Sequence, residues 1–232
     1  MNNQSMQQNQ IKTMPYVCSA VRTVGVIKPK FNPQNNNFLP PQLEVKGTGF
    51  WLKDKRAFVT CAHVVQGIIE SPIELAGMLV VGGNGVDYKK ARVSIVDYIH
   101  DLAILHVEAD DAYLNQQISM GLEIHQENIN VGENVAYAGF PFGNQLLNAK
   151  HTPTYTEGLV GKEILEDTLP KTIQISGAVA GGYSGAPIVL KSDTTKVIAV
   201  LANSISNQVG SANIFRGIHW KHLKELFELI KS

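Results

Sequence analysis

Between Tyr16 and Ser204 the chain is written as short apolar runs, each cut off by glycine, proline or asparagine: "VCSAVRTVGVI", "GTGFWL", "AFVTCAHVV", "GMLVVGG", "KKARVSIVDY", "DLAILHVE", "VAYAGFPFG", "KTIQISG", "APIVLK" and "KVIAVLANS". Many such runs at close intervals are the pattern of an all-β chain folded as a barrel or a sandwich. Several runs alternate, as where Ala91, Val93 and Ile95 share one face and Arg92, Ser94 and Val96 the other. Sustained helical periodicity occurs in one place, the C-terminal "HWKHLKELFELIKS", where Leu223, Leu226, Phe227 and Ile230 recur at intervals of three and four. That stretch, about 218–231, is predicted to be an amphipathic helix docked on the body. At 232 residues the chain has room for one large all-β domain or two small ones, with a substantial buried core.

Composition narrows the partners. With 44% hydrophobic and 17% charged residues the chain is that of a globular protein rather than a disordered one. Twenty basic and twenty acidic residues cancel, so there is no electrostatic footprint of a nucleic-acid or anionic-membrane binder. No continuous apolar run of about 18 residues exists and "MNNQSMQQNQIKTM" has no signal-peptide core, so the expected location is cytoplasmic, with no membrane partner. Two cysteines, Cys18 and Cys61, are too few for a disulfide scaffold or a cysteine-rich zinc site, and are expected to be buried free thiols. Residues 1–14 read as a flexible polar tail, 28–42 as a Pro- and Asn-rich surface loop, and 108–127 as a more polar stretch joining two halves.

Chemistry concentrates in "AGGYSGAPIVL", residues 180–190, where Ser184 sits on a glycine-rich turn before a strand. Turn statistics alone explain a serine and glycines there. A nucleophilic serine needs a base, and the base needs an orienting group. His63, at the end of the apolar run "FVTCAHVV", is the candidate base, and Asp101, which enters the clean run 102–107, is the candidate orienter. An aspartate at the mouth of a core strand demands a partner. Each signal is weak alone, but together and in the order His, Asp, Ser they are not what turn statistics produce.

The segments "GTGFWL", "FVTCAHVV", "DLAILHV", "VGENVAYAGFPFG", "TYTEGLVG" and "IQISGAVAGGYSGAPIVL" resemble the chymotrypsin-fold, trypsin-like serine proteases, most nearly the HtrA/DegP-like protease domain, over about residues 16–210. The resemblance implies two six-stranded antiparallel β-barrels, about 16–115 and 125–210, with the C-terminal helix closing a single protease domain over 15–232. It implies His63 as general base, Asp101 as its orienter and Ser184 as nucleophile, with the backbone N–H groups of Gly182 and Ser184 as oxyanion hole. It implies a substrate pocket lined by Ala178, Val179, Leu201, Ala202, Asn203 and Ser204, suited to a small or medium apolar side chain. The implied activity is that of a serine endopeptidase acting on proteins or peptides through an acyl-enzyme, without metal, nucleotide or other cofactor. Two positions depart from the family pattern: Tyr183 stands before the serine, where it could gate the pocket, and Ala186 stands where glycine is usual. With Tyr183 in that place, activation by insertion of a new N-terminus is not expected. The competing expectation is a catalytically silent protease-fold module that binds extended peptides or a protein partner. An α/β-hydrolase is excluded by the chain order and by the lack of alternating helices. Oligomeric state is not legible.

Overall fold

The structure is a computed structural model that describes residues 14–32, 34, 36–70, 77–143, 151–165, 170–204 and 214–229. Residues 1–13 of the expected tail, and Ile230 of the expected helix, lie outside them. After a short helix α1 (Tyr16–Ala20) come β1 (Val21–Asn32), β2 (Asn37–Leu52), β3 (Ala57–Cys61), helix α2 (Ala62–Ile69), β4 (Met78–Gly83), β5 (Val86–Asp97) and β6 (Leu102–Val107). They pair antiparallel in the order β1-β2-β3-β6-β5-β4, and β1 meets β4 from Thr23↔Gly82 to Ile27↔Met78, which closes the first barrel.

Helix α3 (Asp111–Ser119) and β7 (Glu123–Ile124) lead to β8 (Asn134–Gly139), β9 (Thr154–Ile164), β10 (Thr172–Gly177), β11 (Pro187–Leu190), β12 (Asp193–Ser204), β13 (Ile214–His219) and the final helix α4 (Trp220–Leu229). The order β11-β8-β9-β10-β13-β12 closes through β11–β12 into a second antiparallel barrel, with β7 added parallel to β12. The fold is thus the expected pair of six-stranded barrels with a C-terminal helix.

The strands of the first barrel bury large side chains on both faces: Phe50 and Leu102 on one, and on the other Trp51 and Phe58, which meet edge to face at 5.3 Å. Val135, Tyr137, Ile173, Ile175 and Ile188 are buried in the second. Side chains of this size stabilise by about 1.5–3 kcal/mol each when taken from water. Leu223, Leu226 and Phe227 are buried on α4, as their spacing predicts. Both cysteines are free and buried. Among the described residues no helix is long and apolar enough to cross a membrane.

Three local readings are corrected. Residues 17–20 of the first apolar run are helical rather than extended. The loop expected at 28–42 is largely a hairpin: β1 and β2 stay paired from Lys28↔Gln42 through Lys30↔Leu39 to Asn32↔Asn37, with the register shift taken up where Pro29, Pro40 and Pro41 lie. The 108–127 stretch holds α3, whose packed face is hard to read in the sequence because Tyr113, Leu114 and Ile118 are only half-buried against the core and the one buried residue among them is the polar Gln117. Asp110 marks its start by accepting the Tyr113 N–H at 2.8 Å. Gln117 is buried because its side-chain oxygen takes the guanidinium of Arg22, which also donates to the Ser19 and Val21 carbonyls.

Candidate active site

β3 delivers the chain to Cys61, and α2 starts at the next residue, so His63 stands on the first turn of a helix at the rim of the first barrel. Its side chain is 40% exposed, which leaves the ring reachable from outside. Asp101 faces it from the start of β6, held at φ +57 in the left-handed region, a conformation that non-glycine residues take only when their surroundings demand it. One carboxylate oxygen accepts the backbone N–H of His63 at 2.9 Å, the other engages Nδ1 at 2.7 Å, and the Asp101 carbonyl accepts the Ala62 N–H at 3.1 Å. Donation from Nδ1 fixes the tautomer, so Nε2 is the ring atom left to accept a proton.

Ser184 lies in the loop between β10 and β11, whose glycines answer a geometric need. Gly182 and Gly185 have φ of +103 and +87, and a Cβ at either would drive into the carbonyl oxygen of Phe140 or of Thr48 respectively. Ala186 is outside the left-handed region, so an L-residue costs nothing there. The loop is pinned to β12 by Gly185 N–H to Leu201 O and Leu201 N–H to Ala186 O, both 2.8 Å. The Ser184 hydroxyl donates to the Ala202 carbonyl at 2.9 Å. Among the described residues, neither the Gly182 nor the Ser184 N–H is taken by a backbone carbonyl.

Two glycines, one from each barrel, let these parts meet. A Cβ on Gly47 would come within 2.8 Å of both the Ser184 carbonyl oxygen and the side chain of Val64, the residue after His63. A Cβ on Gly185 would come within 2.5 Å of the Thr60 hydroxyl oxygen and 3.2 Å of the Cys61 backbone nitrogen. The serine loop therefore abuts the turn that carries His63. Thr48, between Gly47 and Gly49, ties the two barrels: its N–H donates to Ser184 O at 2.9 Å, its hydroxyl donates to Gly182 O at 2.7 Å and accepts the Phe140 N–H at 3.1 Å, and its carbonyl takes the Thr60 hydroxyl at 2.7 Å. Sequence reading assigns Thr48 no role. Its signal, a small polar residue between two glycines, is shared by countless turns.

Tyr183 does not cover the serine. It is 3% exposed, its ring meets Tyr137 edge on at 5.5 Å, and its hydroxyl bonds that of Thr156 at 2.7 Å, so it roots the loop in the second barrel. Burial pushes its phenol up from the usual range, although the Thr156 bond opposes this. Of the expected pocket residues, Ala178 and Val179 line a cleft of about 390 Å³ with Pro141, Phe142, Thr156 and Tyr183, whereas Leu201 and Ala202 are buried along β12 beside the serine.

Cys61 lies beneath the histidine, donating its thiol to Leu201 O at 3.4 Å. Burial, and then the charge of Asp101, push the thiol well above its ordinary range. The Cys61 sulfur, a His63 ring nitrogen and an Asp101 oxygen lie within 4.8 Å of one another, a donor set that could hold a soft metal ion. As they stand, the imidazole and carboxylate are bonded to each other and the thiol is held protonated.

The profile of a family described as the trypsin-like peptidase domain matches residues 47–200. A curated relative, an uncharacterized protein y4bJ of Sinorhizobium fredii, is 31% identical over 145 residues, 62% of this chain and 20% of that protein, so the chain spans about a fifth of the relative's length. Among solved structures, the HtrA-type protease AlgW with a decapeptide superposes with a TM-score of 0.67 at 19% identity, covering 93% of this chain and 67% of that one. The Rv3671c protease of M. tuberculosis in its active form superposes with a TM-score of 0.57 at 20% identity, covering 88% and 77%.

Proposed function

The chain belongs to the trypsin-like peptidase family, and from that premise we propose that it is a serine endopeptidase in which His63, Asp101 and Ser184 act together. The observation that carries the reading is the Asp101 carboxylate holding both the backbone N–H and Nδ1 of His63, at 2.9 and 2.7 Å, beside a glycine-flanked serine. In this reading Ser184 Oγ turns from the Ala202 carbonyl toward Nε2 of His63. It passes its proton there as the oxygen attacks a peptide carbonyl. The N–H groups of Gly182 and Ser184 take the oxyanion, and Asp101 stabilises the imidazolium. The imidazolium protonates the departing amine, and water, activated by the same ring, then hydrolyses the acyl-enzyme and frees the serine.

A fluorophosphonate probe tests this directly. We expect stoichiometric labelling of Ser184, none in Ser184→Ala, and a loss of labelling rate in His63→Ala. A folded wild-type protein that stays unlabelled would overturn the proposal in favour of a silent peptide-binding module.

A further inference from the structure

Beneath His63 lies a side chain that the proposed hydrolysis does not use. Cys61 ends β3 two residues before the histidine, and it is fully buried. The chain passes from strand to helix between the two. The turn gathers three unlike donors: Cys61 Sγ, a His63 ring nitrogen and an Asp101 carboxylate oxygen, all within 4.8 Å of one another. Among the described residues no other three histidine, cysteine or carboxylate donors come so close together. The cluster is open on one side only. The His63 and Asp101 side chains are 40% and 21% exposed, and the buried sulfur forms the floor. The thiol can also give up its proton at little cost to its surroundings. The Leu201 carbonyl that it bonds at 3.4 Å still accepts the Gly185 N–H at 2.8 Å.

One sulfur, one nitrogen and one oxygen suit a zinc ion and its softer relatives, whereas magnesium and calcium take oxygen alone. A thiolate and a carboxylate cancel the charge of a divalent ion, so it can sit at a partly buried site without leaving net charge there. Tetrahedral zinc, with donors at about 2.0–2.3 Å, needs them about 3.3–3.7 Å apart. Nδ1 and the Asp101 oxygen stand 2.7 Å apart. The ion therefore replaces the proton between them, parts them by about half an ångström and draws the sulfur in by about 1 Å at most, with water as fourth ligand on the open side. We infer that Cys61, His63 and Asp101 form an inhibitory site for zinc and ions of similar softness. On binding, the thiol proton leaves to solvent, and the Nδ1 proton passes to Nε2 as the ion takes the Nδ1 lone pair. The ring stays neutral, but Nε2 now carries a proton and cannot take one from Ser184. Binding stands on the donor set alone, while inhibition rests on the endopeptidase reading above.

The test reads binding and chemistry separately. Zinc binding is measured by calorimetry, and a thiolate ligand by the ultraviolet sulfur-to-metal charge-transfer band of the cadmium-loaded protein. Chemistry is read as the rate at which a fluorophosphonate labels Ser184. Wild type should bind one zinc ion per chain and show the cadmium-thiolate band. Saturating zinc should slow labelling by about 100-fold or more, the share usual for a general base, and a chelator should restore it. Cys61→Ser keeps the size of the side chain and removes the soft donor. It should label like wild type without zinc, lose the band, and bind zinc more weakly by at least the about 10- to 100-fold that follows loss of a mere outer partner of a ligand. Cys61→Ala serves as the second variant, and cooperative unfolding verifies that each is folded. A missing band in wild type, a band that persists in both variants, or zinc inhibition as strong in them as in wild type overturns the inference. So does zinc that binds and leaves labelling unchanged. Rapid labelling of Ser184 with no response to zinc would sink this inference alone. A protein that shows the band but is never labelled would sink the hydrolytic reading, and inhibition with it, and leave the ion site standing.

Discussion

An alanine at Gly182 would have to sit at φ +103 with its Cβ against the Phe140 carbonyl oxygen, so the peptide carrying one of the two proposed oxyanion donors must swing aside. We expect Gly182→Ala to lower kcat by about 10²- to 10³-fold, the loss typical of one oxyanion donor, while a circular dichroism spectrum stays native. The buried thiols give a second expectation at this scale. Burial pushes Cys18 up to about 11, and burial pushes Cys61 well above its ordinary range. Neither should react with a disulfide reagent at mildly alkaline pH in the native protein, and both should react once it is unfolded. Fast native labelling would contradict the buried placement. The residues legible in the sequence were those whose local text is distinctive: a serine among glycines, a histidine ending a β run, an aspartate opening one. Thr48 was not, because its meaning lies in a partner 134 residues away, which no local pattern encodes.

Helix α4 shows what a single element does for the site. His222 stacks on His100 with ring centroids 3.7 Å apart, and His100 bonds Asp97 in the turn just before Asp101. The helix therefore braces the turn that presents the proposed orienter. His222 also accepts the Lys171 N–H at Nε2 (2.7 Å) and donates from Nδ1 to Glu225 at 3.0 Å, an arrangement that holds only for the neutral ring. Burial, then the His100 ring, lower the His222 pKa below 6.5, and burial lowers His219 likewise, against the pull of Glu163. The folded state thus binds fewer protons than the unfolded chain. Stability is full above an unfolded pKa of about 6.5 and is lost as pH falls below it, until the folded rings also charge. Urea midpoints should drop between about pH 7.5 and about pH 5.5, and less steeply in His222→Gln. Burial works against ionisation of Glu225, yet its bonds to His222 and Lys171 keep it below 4.5, outside that window. The amphipathic spacing of α4 made it readable in the sequence. Helix α3 and the β1–β2 hairpin were not, since one centres its packed face on a buried glutamine and the other carries prolines at its register shift.

Neither barrel holds the proposed chemistry alone: His63 and Asp101 belong to the first, while Ser184 and the amides of Gly182 and Ser184 belong to the second. Repeated short strands with glycine turns made a closed all-β fold readable. The long-range pairings that complete the barrels, β1 on β4 and β8 on β11, join strands too far apart in sequence for periodicity to specify. Thr48 ties one barrel to the other at the site through three hydrogen bonds, to Ser184, Gly182 and Phe140. Replacing it by valine keeps the shape and removes the hydroxyl. The Phe140 N–H, in a residue only 2% exposed, and the Gly182 carbonyl are then left unpaired. Stranding a buried polar group costs about 1–3 kcal/mol. In a chain of this size each kcal/mol lowers Tm by about 2–4 °C. Because the Gly182 carbonyl belongs to the serine loop, part of that cost should reach the site: Thr48→Val should slow fluorophosphonate labelling of Ser184 about tenfold or more at temperatures where the protein is fully folded. Thr48→Ser, which keeps the hydroxyl, should restore most of the rate. A valine variant that loses stability but labels at the wild-type rate would place the inter-barrel tie in the scaffold alone and leave the serine loop to be positioned by β12.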